Sequence, residues 1–164
     1  MPISSIHGEI GALYFDETGG AGVAQTTTLS TVTMVAGFSG ALNPGGGTGI
    51  VRPVAGATDY IIVSQAGWYR IFYMLSGVMT TTARGVDVMV HAAVGAVSVA
   101  AANIIPGSES RFVGLNGNLE GILSAETYTY LAANSYVTLD QAGVATTDVY
   151  TVENGTFIVE RVAP

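Results

Sequence analysis

The sequence contains no cysteine and no lysine; its strong cations are five arginines, Arg52, Arg70, Arg84, Arg111 and Arg161. Without cysteine there is neither a disulfide framework nor a thiolate metal centre. Charge of either sign is scarce: 10% of residues are charged, against about a quarter in soluble domains. The net charge of −7, with no basic cluster, argues against a nucleic-acid partner, which needs grouped cations to neutralise phosphates. Long apolar runs are missing too. Hydrophobic residues reach 49%, yet no segment approaches the roughly 18–20 apolar residues of a membrane-spanning helix, so no membrane partner is expected. A chain this apolar and this poor in charge is expected to bury surface against other subunits. The segment opening Met1-Pro2-Ile3-Ser4 shows no basic stretch followed by an apolar one, so no secretory signal is expected. Synthesis in a reducing cytoplasm fits both absences.

Helical periodicity is the last thing missing. Twenty-two glycines and many Thr, Val and Tyr punctuate short apolar runs, the pattern of a sandwich or barrel. The spacing predicts one domain, residues 1–164, with strands near Gly8–Phe15, Gln25–Ala36, Asp59–Val63, Gly67–Ser76, Gly85–Ala92, Val97–Asn103, Arg111–Leu123, Thr127–Leu131, Tyr136–Ala142 and Thr156–Val162. Gly19–Gly22 and Asn43–Gly47 read as loops, and Asn154-Gly155 as a hairpin turn. Val86 to His91 alternates cleanly, placing Asp87, Met89 and His91 on one face. Trp68 to Leu75 does not alternate: both faces are apolar apart from Arg70. A half-solvated antiparallel strand should alternate. Both faces are therefore expected to be covered, one by the opposite sheet and the other by a second subunit.

Three segments carry a resemblance. Gly67-Trp68-Tyr69-Arg70-Ile71-Phe72-Tyr73 resembles the G-x-Y-x-F-x-Y strand of the tumour-necrosis-factor/C1q-like jelly rolls. Thr129 to Leu139 is similar to that family's L-x-x-G-D-x-V-x-L hairpin, with Ala133-Asn134 in place of Gly-Asp. Thr156 to Val162 is similar to its closing T-F-x-G-x-x-L strand, with Val159 where glycine is usual. The resemblance spans roughly residues 58–164. It implies an all-β, antiparallel, ten-strand jelly-roll sandwich of two sheets that forms a homotrimer. Trp68, Tyr69, Phe72, Tyr73 and Phe157 are the expected trimer-interface residues. The front part, Gly8 to Phe15 followed by a Thr-rich stretch, looks like viral versions of the fold.

Chemistry is weakly represented. Two histidines without cysteine make a transition-metal site within one chain hard to assemble, so no metal and no cofactor are expected. Asp87 and His91 share a face, and three copies of His91 could meet on a three-fold axis, but a plain polar face is the expectation. Asp16-Glu17 beside Gly19-Gly20 reads as an acidic turn and not as a calcium loop. Gly107-Ser108-Glu109-Ser110 has the wrong spacing for a nucleophile elbow. Gly45 to Gly49 has no lysine after it, so it is not a phosphate loop. No enzyme is expected.

These readings converge on a capsid decoration (cement) protein of a tailed phage. Its expected place of synthesis is the host cytoplasm, and its expected location the outer capsid surface of the virion. Its expected partners are itself and the major capsid protein or another virion protein. Residues 1–15 are the expected arm, with Ile3, Ile6 and Tyr14 reaching the capsid. The alternative is a trimeric fibre or spike domain recognising a host receptor or glycan.

Overall fold

Runs of alternating apolar residues, broken by glycine-rich turns, generate twelve strands among the described residues of this computed structural model. Those residues are 9–15, 22–27, 29–42, 49–56, 58–79, 84–114, 119–144 and 148–164. The strands are β1 (Ile10–Phe15), β2 (Val23–Thr27), β3 (Thr33–Met34), β4 (Gly40–Leu42), β5 (Val51–Val54) and β6 (Tyr60–Val63). They continue with β7 (Gly67–Met79), β8 (Arg84–Val94), β9 (Ser110–Gly114), β10 (Leu119–Leu131), β11 (Ser135–Gly143) and β12 (Asp148–Ala163). One antiparallel sheet runs β10-β7-β12-β1-β4, with β2 also on β12; the other runs β5-β6-β11-β8-β9, with β3 also on β11. No helix among the described residues is long and apolar enough to cross a membrane.

The core lies between the sheets. Tyr69, Ile71, Tyr73 and Leu75 of β7 point inward beside Phe157 and Val159 of β12 and Leu13 of β1. Val86, Val88 and Val90 of β8, Val137 and Leu139 of β11, and Ile61 and Val63 of β6 meet them from the second sheet. Each such side chain contributes about 1.5–3 kcal/mol by leaving water. Buried hydroxyls need partners. The Tyr69 hydroxyl donates to the Gln65 carbonyl at 2.7 Å. That of Tyr73 crosses to the second sheet, 3.0 Å from the Val88 carbonyl and 2.9 Å from that of Ser108. Burial pushes the phenols of Tyr73 and Tyr150 above the ordinary range.

Side chains also replace missing ladder bonds. The Gln25 amide donates to the Ala36 carbonyl at 2.7 Å and accepts from the Ala36 N–H at 3.2 Å. Asp59 accepts from the N–H groups of Gly37 at 2.9 Å and Gly56 at 2.8 Å, tying two loops together.

Several sequence expectations are corrected. Gln25–Ala36 is not one strand: Ser30, at φ 56°, turns the chain between β2 and β3. Arg111–Leu123 divides into β9 and β10 because the chain changes sheets there, and Thr127–Leu131 is the far half of β10. Val97–Asn103 is not a strand; Gly95, at φ 81°, ends β8, and a 3-10 turn at Ala101–Asn103 follows. Asn154-Gly155 is no hairpin turn but lies inside β12, next to a bulge between Val152 and Asn154. Glycine is favoured there because a Cβ on Gly155 would come within 2.9 Å of the Met74 carbonyl oxygen and 2.6 Å of Leu75 Cδ2. Ala133-Asn134 does turn the chain, with Asn134 at φ 61°. It joins strands of different sheets, so it is an arch and not a hairpin. The strands β4 and β5 were unforeseen. Pro53 sits in β5, at a sheet edge where proline is tolerated.

Residues 10–15 are not a free arm. They form β1, paired to β12 from Ile10–Glu160 to Phe15–Gly155 and to β4. Ile3, Ile6, Asp16-Glu17, Gly19-Gly20 and most of the Gly45–Gly49 run lie outside the described residues.

A candidate self-association face

The same alternation that fills the core decides what the first sheet shows outward. Across β10, β7, β12 and β1 the outward residues fall in register rows: Tyr130–Trp68, Tyr128–Arg70–Glu160–Ile10, Glu126–Phe72–Ile158–Ala12 and Ser124–Met74–Thr156–Tyr14. Among the described residues twelve large apolar side chains are exposed. Eight of them are on this one face: Ile10, Tyr14, Leu42, Trp68, Met74, Ile122, Tyr128 and Tyr130. Ile122 is 66% exposed and Trp68 49%. Trp68 meets Tyr130 edge-on at 5.9 Å, a favoured aromatic geometry, and both remain about half exposed.

One polar cluster interrupts this surface. Arg70 binds Glu126 through two parallel bonds, Nε–Oε1 at 3.1 Å and Nη2–Oε2 at 3.0 Å. Its Nη1 reaches Glu160 at 3.3 Å, and its guanidinium lies 5.9 Å from the Phe72 ring centre. The Tyr128 hydroxyl donates to Glu126 at 3.1 Å. The bonds from Arg70, then from Tyr128, hold the Glu126 carboxyl below the usual range. Bonds to Glu126 and Glu160 raise Arg70, and the bond to Glu126 raises Tyr128. The cluster is a charge-assisted network on an open surface.

The second sheet carries two further polar pairs. His91 and Asp140 are fully buried and joined at 2.9 Å through Nδ1, while Thr138 donates to the same carboxylate oxygen at 2.6 Å. His91 is therefore neither solvent-facing nor on the first sheet's face, and a three-fold cluster of it is excluded by its burial. Asp87 does share its strand face but pairs with Arg111 at 2.5 and 2.8 Å, beside a shallow cavity of about 250 Å³. Among the described residues, no three His, Cys, Asp or Glu side chains gather to hold a metal ion.

No family model and no curated protein matches the sequence. The shape does have relatives. The Eiger TNF structure from S. frugiperda superimposes over 95% of this chain and 93% of its own, with a TM-score of 0.63 and 8% identity. Murine APRIL at pH 5.0 covers 94% and 99%, at 0.56 and 7% identity. The globular domain of zebrafish complement 1qA covers 94% and 97%, at 0.55 and 13% identity. The fold is a TNF/C1q-like jelly roll. At such identities the likeness concerns the fold alone.

In this jelly roll the five expected interface residues part company. Trp68 and Phe72 are on the outward face. Tyr69, Tyr73 and Phe157 are completely buried in the chain's own core, so they cannot meet another subunit. Tyr14, expected on an arm, is 40% exposed on the same outward face. The other exposed apolar residues of β7 and β10 on this face, Met74, Ile122, Tyr128 and Tyr130, were not among those expected. Their signal was present: Ile122, Glu126, Tyr128 and Tyr130 all take even positions of β10, opposite the even positions of β7.

Proposed function

We propose that the chain is a non-enzymatic homotrimeric module that joins through the outer face of its first sheet and serves as a capsid decoration protein on a tailed-phage virion. The single observation that supports self-association most is the clustering of eight exposed apolar side chains on that face. Their neighbours are a rigid aromatic pair and an ordered arginine network, the composition of interface centres. Three-fold symmetry is what the sequence resemblance implies. A trimer offers three equal patches to a three-fold position of a shell, so weak single contacts add through effective concentration. Binding the assembled shell alone would stabilise it by mass action.

Sedimentation at micromolar concentration tests the first half: the expected species has three times the 16.8 kDa chain mass. A folded monomer at that concentration contradicts it. Imaging of the chain on intact virions tests the second half. A regular pattern over the shell is expected, whereas density confined to the tail or one vertex indicates a fibre or spike.

A further inference from the structure

We infer that the open edge of β10 pairs with β10 of a second copy, antiparallel and in one register, so that the first sheets of two chains run on as one. The contact uses main chain at the rim of the sheet and leaves the outward face uncovered. It therefore does not rest on the face contact proposed above.

β10 is the last strand of its sheet, and among the described residues its main chain pairs with β7 alone. It is 13 residues long, where about 5–6 is ordinary. Every one of those residues has a partner on β7, from Leu119–Met79 to Leu131–Gly67, without a bulge. A long, regular, apolar edge is a template for another strand, and proteins usually blunt it with proline, lysine, a bulge or a covering segment. β10 contains no proline, lysine or arginine. Segments of the second sheet reach it through side chains on its inner side. The Thr127 hydroxyl donates to the Pro106 carbonyl at 3.1 Å, and Phe112 packs where a Cβ on Gly121 would come within 2.2 Å of its ring. The Gly121 carbonyl takes a 3.4 Å bond from Tyr150, whose ring is in the core.

The strand's own sequence selects the occupant. Laid antiparallel on itself, β10 pairs over its whole length in one register, with Ala125 facing Ala125 on a two-fold axis. Even residues then meet even residues, so outward rows join outward rows and core-facing rows join core-facing rows. Ile122 faces Tyr128 of the second copy, Glu120 faces Tyr130, and Ser124 faces Glu126. No carboxylate directly opposes another. The two Glu126 groups are diagonal neighbours, roughly 7–8 Å apart, and each is matched by its own Arg70. Sliding the copies by two residues either way gives up end pairs, and one of the two slides opposes Glu126 to Glu126. A single strand edge is a narrow strip beside the about 1,000 Å² of a stable interface, so this pairing joins copies already held close together and does not set the mass of the dilute protein.

The test is disulfide trapping at high protein concentration, in a chain that has no cysteine of its own. Ile122→Cys and Tyr128→Cys, both at exposed positions, are refolded separately and together and then oxidised with diamide. Opposed residues stand about 4.5–5.5 Å apart between Cβ atoms, close to disulfide range, whereas each cysteine is six residues, about 20 Å, from its own counterpart. The mixture should therefore cross-link at least about tenfold faster than either variant alone, with unchanged circular dichroism. Equal rates in all three samples, no cross-link, or a faster rate for a single variant overturns the inference. Adding Trp68→Asp, which breaks the face contact, should leave the pattern intact. Losing the pattern there assigns it to the face, with the same consequence. A wild type that stays monomeric in dilute solution beside an intact pattern overturns the face contact and leaves the edge pairing standing.

Discussion

The outer faces of the two sheets are built from the same kind of alternating strand, yet they are finished differently. On the second sheet, His91, Asp140 and Thr138 point away from the core and are nonetheless fully buried, bonded to one another through the Asp140 Oδ2, while His91 Nε2 and Asp140 Oδ1 have no partner. Asp87 and Arg111 close their own ion pair nearby. On the first sheet, Ile122, Tyr128, Tyr130 and Trp68 face outward, each between 49% and 66% exposed. One face is largely covered by the chain itself, and the other leaves apolar side chains open, the feature on which the proposed self-association rests. Position in the sheet thus says little about function; the state of the outward row says much more.

The sharpest way to break the comparison is to exchange the roles of inward and outward aromatics. Tyr73→Ala removes a fully buried ring and its bonds to Val88 and Ser108, and should cost about 3–5 kcal/mol in chemical denaturation. Trp68→Ala should leave the unfolding of the dissociated chain nearly unchanged. A similar loss from both would mean that the two rows are not distinct.

Ile122→Asp comes next. Placing a charge where another copy is to pack should cost about 2 kcal/mol or more per chain in association, seen as a fall to monomer mass with unaltered circular dichroism. Unchanged oligomer mass would remove β10 from the contact.

On the second sheet, Asp140→Ala strips the buried His91 and Thr138 of their shared acceptor. A loss of about 1–3 kcal/mol of folding stability is expected, with no change in oligomer mass. Dissociation in this variant would show that the second face also takes part. The smallest effect is expected from Arg111→Ala, whose partner Asp87 remains within reach of water. Its unfolding midpoint should not move measurably, as for most surface pairs.

Much of this was legible in the residues, and the failures have physical causes. The doubly apolar run Trp68–Leu75 was legible as a strand, now part of β7; its outward side chains Trp68 and Met74 are exposed in the single chain, and their covering by a second subunit is the reading proposed above. Assigning its interface to Tyr69 and Tyr73 failed because alternation gives two rows without saying which is inside. Arg70 could have settled it: a lone cation marks the row that meets water, and Trp68 and Phe72 share that row. Asn154-Gly155 misled because the same dipeptide serves a tight turn and a strand glycine crowded by Leu75; only the packing separates them. Val97–Asn103 misled because alanine and valine allow either a strand or an exposed turn. The burial of His91 depends on Asp140, 49 residues away, and no local pattern encodes that pairing.

Trp68 is the only tryptophan in the chain and stands on the face in question, so its fluorescence tests the central claim most directly. On dilution from the associated state its emission should shift to the red as the ring meets water, with the same midpoint as the loss of oligomer mass in sedimentation. An emission maximum that stays fixed while the mass falls to that of one chain would place the contact elsewhere and contradict the account.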